Sequence, residues 1–466
     1  MSPATPFSFG TGVAHLLARC GIDHEPAALR MIGADPVVAS PLCYASATAS
    51  ALAAHGAGIA AIWRERGGRP QSVEVDARRA VWHGLRSMFE LRQSGRPVLP
   101  AGFASKPSAG YHRTRDGRHA YVARLPDNPG AMLPMSRLFD GARSSAEISK
   151  AVASWDADAL EEAAAVAKVA CAVARTETEW ARHPQGELLH RAQALQVQRI
   201  ADSEPRPLGL ASRPLEGLRV LDCSHVIAGP TLGRLLAEQG AQVLQVSAPQ
   251  YQDPQPVVID TGFGKRHAHL DLTQARELAL LKTLIQDADV FIESWRPGAM
   301  DRKGLSAVEV AQLKPGIVYA SISCYGAEGP WATRGGYEQL GQAVSGLAFA
   351  EGGGIEPRNA PTGTMNDYLA AYLAGCGVVG ALLQRARSGG SYHVTTSLTQ
   401  ASMWVLAFGR ADATMAAVAP GPLPLKTTTS PYGELQHAPP VIDYSETPGA
   451  WSRPPEPPGA SPAAWL

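Results

Sequence analysis

Asp367 is the residue of this chain best placed to do chemistry. It heads the run Gly363-Thr-Met-Asn-Asp-Tyr-Leu-Ala-Ala-Tyr-Leu-Ala-Gly375, where a lone carboxylate opens an otherwise apolar helix of small residues. Tight aliphatic packing disfavours a charge at such a place. Two readings follow. Asn366 and Asp367 are good N-cap residues, so the carboxylate is a helix cap. Alternatively it is a working carboxylate, a nucleophile or base on a rigid helix start whose dipole favours the ionised form.

The elements that would position it come from the rest of the chain. With 466 residues there is room for two or three domains and a large core. Lys plus Arg equals Asp plus Glu, 42 each, so nothing points to nucleic acid or an acidic membrane surface. Hydrophobic content is ordinary at 45%, while 46 glycines and 37 prolines imply many turns. Six cysteines, Cys20, Cys43, Cys171, Cys223, Cys324 and Cys376, form no CxxC pair and read as reduced structural thiols, with no metal site. The start MSPATPFSFGTG lacks a basic region followed by an apolar one, the pattern of a signal peptide. No run approaches the roughly 18 apolar residues of a membrane span. A soluble cytoplasmic protein is expected.

Residues 1–40 give little signal. A small-residue helix over 44–66 precedes Gly67-Gly68 and an alternating strand, Gln71 to Asp76. Residues 100–130 read as turns around one strand, His119 to Arg124, and Asp156 to Arg175 carries an acidic first turn with helical apolar spacing. The polar, proline-bearing stretch 203–214 reads as a linker. Beyond it, Leu218–Asp222 is a strand, Ala228-Gly-Pro a turn, Thr231–Gln239 a helix and Ala241–Val246 a second strand. A helix over Gln274–Gln286 and strands at Asp289–Glu293 and Gly316–Ser323 continue the alternation, which predicts a parallel, doubly wound α/β sheet. The tail 416–466 is proline-rich and extended. The predicted units are thus 1–202, a linker at 203–214, 215–415 and the tail.

An internal echo links the two halves. Residues 46–80 align without a gap on 367–401 with ten identities in thirty-five pairs, among them Leu52 with Leu373, Gly56 with Gly377, Arg64 and Arg66 with Arg385 and Arg387, and Val73 with Val394. The shared helix, basic end, glycine turn and strand favour a diverged duplication. In this register Asp367 faces Ser46, so one copy alone keeps the carboxylate.

Taken in order, several segments resemble the class III CoA-transferases, the family of formyl-CoA transferase and carnitine CoA-transferase, with acyl-CoA racemases as cousins. These are Pro214–Asp222, His225-Val-Ile-Ala-Gly-Pro230 running into Leu-Ala-Glu-Gln-Gly-Ala-Gln-Val243, Gly264–Leu272, Asp289–Gly304, Tyr319–Gly326 and Gly336-Tyr-Glu-Gln-Leu340 ahead of the Asp367 helix. The likeness is best over 214–406. The N-terminal part is similar to later segments of the family: Arg66–Ala80 to the strand after the catalytic helix, and Ala174–Gly186 to the end of the smaller domain. The resemblance implies a Rossmann-like CoA-binding domain with a smaller α+β domain, their parts rearranged or partly duplicated, and a homodimer unless the two part-copies mimic one.

The resemblance also implies a reaction: CoA passes from an acyl-CoA to a carboxylic acid acceptor through a mixed anhydride and an aspartyl-CoA thioester on Asp367. A CoA thioester is then a substrate, and no tightly bound cofactor is implied. Ser46 has no such chemistry, because a hydroxyl forms no anhydride. For CoA, the matching positions are Val226, Ile227 and Ala228 along the pantetheine arm, Trp295 after Ser294 at the adenine, Arg302 near the nucleotide and Lys265 of the basic pair Lys265-Arg266. Each of Lys265, Arg302 and Trp295 has an ordinary alternative: a salt bridge, a solvated arginine and a core aromatic. Departures from formyl-CoA transferase are Ile227 in place of a polar residue, and Ala248 and Thr273 at two basic phosphate positions. Tyr337 stands where the racemases carry a histidine, and a phenol is a poor proton acceptor at neutral pH. That favours transfer over racemisation. The alternatives are an acyl-CoA racemase or isomerase with Asp367 as base, and a non-catalytic, partner-binding subunit.

Overall fold

The computed structural model describes residues 5–23, 28–99, 110–123, 129–142, 144–251, 253–412 and 423–466. Helix α1 (Phe9–Cys20) starts in a Ser8–Thr11 capping box and leads to strand β1 (Leu29–Ile32), both within the stretch that gave little sequence signal. Helix α2 (Tyr44–Glu65) and strand β2 (Val73–Asp76) lie where they are predicted. Strands β3 (Gly110–Arg113), β4 (His119–Val122) and β5 (Cys171–Val173) form a small antiparallel sheet, its core closed by helices Ser145–Val152 and Ala157–Val166.

Here the sequence reading fails in one place. The helical spacing from Asp156 to Arg175 breaks at Val166, the chain turns through Lys168 at φ 59°, and Cys171–Val173 becomes β5. Pairing with β4 buries all three of those residues, and that outweighs a local helical pattern.

The second half builds the large sheet. Strand β6 (Gln196–Ala201) leads into it, followed by β7 (Arg219–Asp222), helix α3 (Ala228–Ala237), β8 (Gln242–Ser247), β9 (Lys265–His269), β10 (Val290–Glu293) and β11 (Val318–Ser323). Helices α4 (Glu338–Ser345) and α5 (Met365–Ser388), strand β12 (Ser391–Ser397) and helix α6 (Leu398–Leu406) follow, and strand β13 (Ile442–Tyr444) comes late in the tail. The sheet order is β9-β8-β7-β10-β11-β12-β6, parallel except for β6. Strand order therefore reverses between β7 and β10, and open α/β sheets bind ligands at the carboxyl ends of the strands flanking such a reversal.

Two boundaries differ from expectation. Strand β6, inside the predicted first unit, belongs to the large sheet because it pairs with β12. The stretch 203–214 has no regular structure, as a linker should. It is nevertheless strapped down: Arg66 donates to the carbonyls of Leu208, Gly209, Pro214 and Glu216. The helix expected from Thr231 starts at Ala228, so the predicted turn at Ala228-Gly-Pro is its first turn. In the tail, a hairpin (Lys426–Ser430 with Gly433–His437) pairs with Arg92–Gln93, and β13 pairs with β2. Its last residues are extended over the large sheet: Trp465 Nε1 donates to Leu284 O at 3.1 Å, and Arg266 donates to the carbonyls of Pro462 and Ala464. The first part of the predicted tail, up to residue 422, lies outside the described residues.

The echo is structural. α2 packs against α5, and in each copy the same glycine admits the same valine: a Cβ on Gly56 would stand 2.5 Å from Val73 Cγ1, and one on Gly377 2.5 Å from Val394 Cγ1. Strand β2 has a parallel neighbour, β1, and an antiparallel one, β13, just as β12 has β11 and β6. Gly377→Ala should therefore cost about 1–3 kcal/mol by overpacking, with part of the loss recovered by adding Val394→Ala, as read by urea unfolding. By length and composition both helices are apolar enough to cross a membrane, contrary to the sequence expectation, but 94% of the most apolar window of each is buried within the protein. They read as central core helices.

Candidate active site

Asp367 lies in the first turn of α5, and the cap reading does not hold. Thr364 is the N-cap residue, and no side chain caps the helix there. The Asp367 N–H is instead taken by a second carboxylate, Glu338 Oε2, at 3.1 Å. Glu338 opens α4, is 3% exposed, and also accepts from the Gln342 amide. Asn366 ties the three helices together: its Nδ2 donates to Glu338 O at 3.0 Å and its Oδ1 accepts from Ser402 of α6 at 2.8 Å. Gln342 Oε1 in turn accepts the Ala360 N–H at 2.8 Å. The acid pair is thus held by a rigid frame of amides.

The Asp367 carboxyl itself has no hydrogen bond and no cation beside it among the described residues, and the residue is 8% exposed. Burial raises its pKa from 3.8 to about 7. Burial and the Asp367 charge push Glu338 well above the usual carboxylate range, so the two titrate as a unit. A reactive, partly protonated carboxyl pair in a dry frame suits a nucleophile or an acid/base pair. The duplicated copy has a mute version: Asp35 accepts the N–H groups of Ala45 and Ser46, both at 2.8 Å, at the start of α2. A carboxylate plugs each helix start, but only α5 presents a second one.

Of the predicted CoA positions, Val226, Ile227, Ala228, Ser294 and Trp295 follow the two strands that flank the order reversal, and one other is bound up inside the fold. Val226 sits after β7 at φ 63°, its N–H bound to Asp253 at 2.8 Å; Ile227 is the N-cap residue of α3 and Ala228 its first residue. No side chain caps α3, so its first N–H groups stay available to an acceptor. Ser294 Oγ brackets the His225 backbone at 3.2 and 3.3 Å. Trp295 is tied by Nε1 to Cys223 O at 2.7 Å and stacks near His225 (4.2 Å) and Tyr251 (5.2 Å). Arg302 is exposed, and no carboxylate pairs with it among the described residues. Tyr337 is half-buried directly before Glu338, its carbonyl accepting from Cys324 Sγ at 3.8 Å, and burial raises its phenol pKa.

The residue bound up inside the fold is Lys265. It is 1% exposed, and its ammonium is taken up by Asp222 Oδ2 at 2.8 Å, Pro230 O at 2.5 Å and Gln245 Oε1 at 3.2 Å. No side of it is left for a phosphate, so it is an internal strut. Its ordinary alternative, the salt bridge, is what the fold contains.

Sequence reasoning missed Glu338, Tyr251 and His225. An acidic residue in the first turn of a helix is too common to signal anything, and the aromatic pair becomes a cluster only when β7 and β10 are adjacent. It also gave no sign that the N-terminal small sheet, which carries Tyr111 and Tyr121, lies against α4. That sheet docks on α4 through Arg175 N–H to Ala343 O, 2.9 Å.

Residues 215–439 match the family model for CoA-transferase family III. Over these residues, just under half of its length, the chain is similar to that family. An acetyl-coenzyme A transferase of Hypoxylon pulicicidum is 38% identical over 42% of this chain and 34% of its own length. An acetyl-CoA:oxalate CoA-transferase of Acetobacter aceti is 32% identical over 40% of this chain and 51% of its own. The chain thus spans between a third and a half of these relatives. Among solved structures, a CaiB/BaiF family protein from Brucella suis aligns over 42% of this chain and 56% of its own at 28% identity, with a TM-score of 0.39, too low to bear on shared architecture. The matched segment contains the acid pair and the strand-order reversal; Tyr111 and Tyr121 come from outside it.

Proposed function

We propose that this chain is an enzyme that moves CoA from an acyl-CoA to a carboxylic acid acceptor. The observation that carries the reading is the Asp367 carboxyl, buried at a helix start with neither cation nor hydrogen bond among the described residues. Moving CoA between two carboxylates is close to thermoneutral, so the site must keep the thioester energy and exclude water. The Asp367 carboxylate attacks the thioester carbonyl, the C–S bond breaks, and CoA thiolate leaves a mixed anhydride behind. The thiolate then attacks the Asp367 carbonyl and releases the donor acid, giving an aspartyl-CoA thioester. The acceptor carboxylate attacks that thioester, and the thiolate returns to the acceptor's acyl carbon and frees Asp367.

In this reading Val226, Ile227 and Ala228 border the pantetheine, the open N-terminus of α3 faces its polar groups, and Ser294 holds the His225 turn. Trp295 with Tyr251 offers the adenine an aromatic wall, Arg302 offers a guanidinium to phosphate, and Tyr337 lies between nucleotide and acid pair. Lys265 has no contact with the ligand. A cytoplasmic homodimer carries over from the resemblance as part of the proposal; sedimentation of the purified chain checks the stoichiometry. The raised acid pair favours one other reading, proton transfer at the α-carbon by an isomerase.

Mass spectrometry after incubation with a panel of acyl-CoAs and hydroxylamine separates these readings. Transfer predicts a hydroxamate at Asp367, absent from Asp367→Ala. Solvent deuterium entering the α-carbon without a hydroxamate would instead establish the isomerase. Neither signal, with CoA binding intact, would overturn both.

A further inference from the structure

Val226 is a strained joint in the reversal crevice. Its φ of 63° lies in the left-handed region, which a β-branched residue enters only where its surroundings hold it. The chain is fixed on both sides of it. The His225 N–H donates to Ser294 Oγ at 3.2 Å, and the His225 carbonyl accepts from the same hydroxyl at 3.3 Å. Ile227 is buried, and its carbonyl accepts the Thr231 N–H at 2.8 Å as α3 begins. Between them the Val226 N–H donates to Asp253 Oδ2 at 2.8 Å, and Asp253 Oδ1 lies 4.0 Å from His225 Nδ1. Asp253 belongs to the segment after β8, which pairs with β7, so one carboxylate bridges two connections at the carboxyl end of the sheet. Its side chain is 25% exposed. A hydrogen bond so open to water adds little stability, whereas backbone strain of this kind collects at ligand clamps.

We propose that Asp253 is a positioning residue of this crevice. By taking the Val226 N–H it holds the turn of residues 225–227 in the shape that receives a CoA thioester, so the free protein already has the bound form. Without that bond Val226 relaxes out of the left-handed region. The Val226–Ile227 peptide then swings, and the open N–H groups at the start of α3 turn with it. A glycine at 226 adopts the left-handed conformation unaided, which makes the turn independent of Asp253. The inference rests on the reading of this crevice as the CoA site.

The test is a double-variant cycle read by calorimetric titration with CoA itself, with melting curves to check that each variant folds. Asp253→Ala should weaken CoA binding about 10-fold. Asp253→Asn keeps an oxygen that accepts the Val226 N–H and should recover most of that loss. In a Val226→Gly background, Asp253→Ala should cost far less than it does beside the valine. An equal loss in both backgrounds would show that Asp253 acts by its charge or its packing, and would overturn the proposal. Unchanged affinity in Asp253→Ala would overturn it too, and would leave the crevice reading standing. If the wild-type protein binds no CoA, the crevice reading falls and takes this inference with it.

Discussion

Asp367→Asn should slow acyl transfer by about 10⁴-fold and yet stabilise the protein at neutral pH. The amide keeps the shape of the side chain and removes the carboxylate that forms the anhydride in the proposed reaction. The stability gain follows from the raised pKa. A carboxyl that titrates at 3.8 when unfolded and about 7 when folded holds its proton in the native state over that interval. Stability therefore falls as pH rises from 3.8 to about 7, and the full cost stands above it. At 1.36 kcal/mol per unit that cost is about 4 kcal/mol. Asparagine never incurs it, and it also relieves Glu338 of a like charge. Melting curves of both proteins should coincide near pH 4 and separate above pH 7, with the variant higher. In wild type, transfer should rise with pH through about 7 as the nucleophile ionises. Curves that stay parallel across this range would show that Asp367 is not the buried, perturbed group described above.

Lys265→Ala should cost about 3–5 kcal/mol of stability. Asp222 is 0% exposed at the end of β7, and the alanine would leave its charge in the core with only the Ser224 hydroxyl and N–H to answer it. Burying an ion pair gains little over an apolar pair, whereas breaking one is expensive. The double variant Lys265→Met with Asp222→Leu should accordingly recover most of the loss. Urea unfolding of the two single variants and the double gives the coupling directly. CoA affinity of the folded fraction should hold near the wild-type value, because the ammonium does not reach the crevice. A variant that folds normally but loses CoA would return Lys265 to the nucleotide site.

Much of the large sheet was legible because its strands are short apolar runs between turn residues. Val290–Glu293 is buried throughout, and the helix and strand alternation around it admits few other arrangements. Strand β9 escaped because Lys265-Arg-His-Ala-His reads as polar; only the neutralisation of Lys265 by Asp222 and of Arg266 by tail carbonyls makes that sequence a buried strand. Strand β5 escaped for the opposite reason, a helical pattern overridden by pairing with β4. The same blindness cost the reading its expectation for Lys265: nothing in a basic residue's neighbours along the chain tells whether it faces phosphate or a buried aspartate.

By itself the sequence determined the α/β class, the duplicated helix-and-strand unit, and Asp367 as a carboxylate heading a buried helix. These are properties of local pattern: period, turn residues and a charge out of place. Only the tertiary structure decided that Glu338 takes the Asp367 N–H, that the N-terminal small sheet docks on α4 from the other half of the chain, and that Lys265 is a strut. Each of these depends on groups far apart in sequence sharing a dry space of a few ångströms. There the cost of an unpaired charge or hydroxyl, negligible in water, determines which partner each group must find.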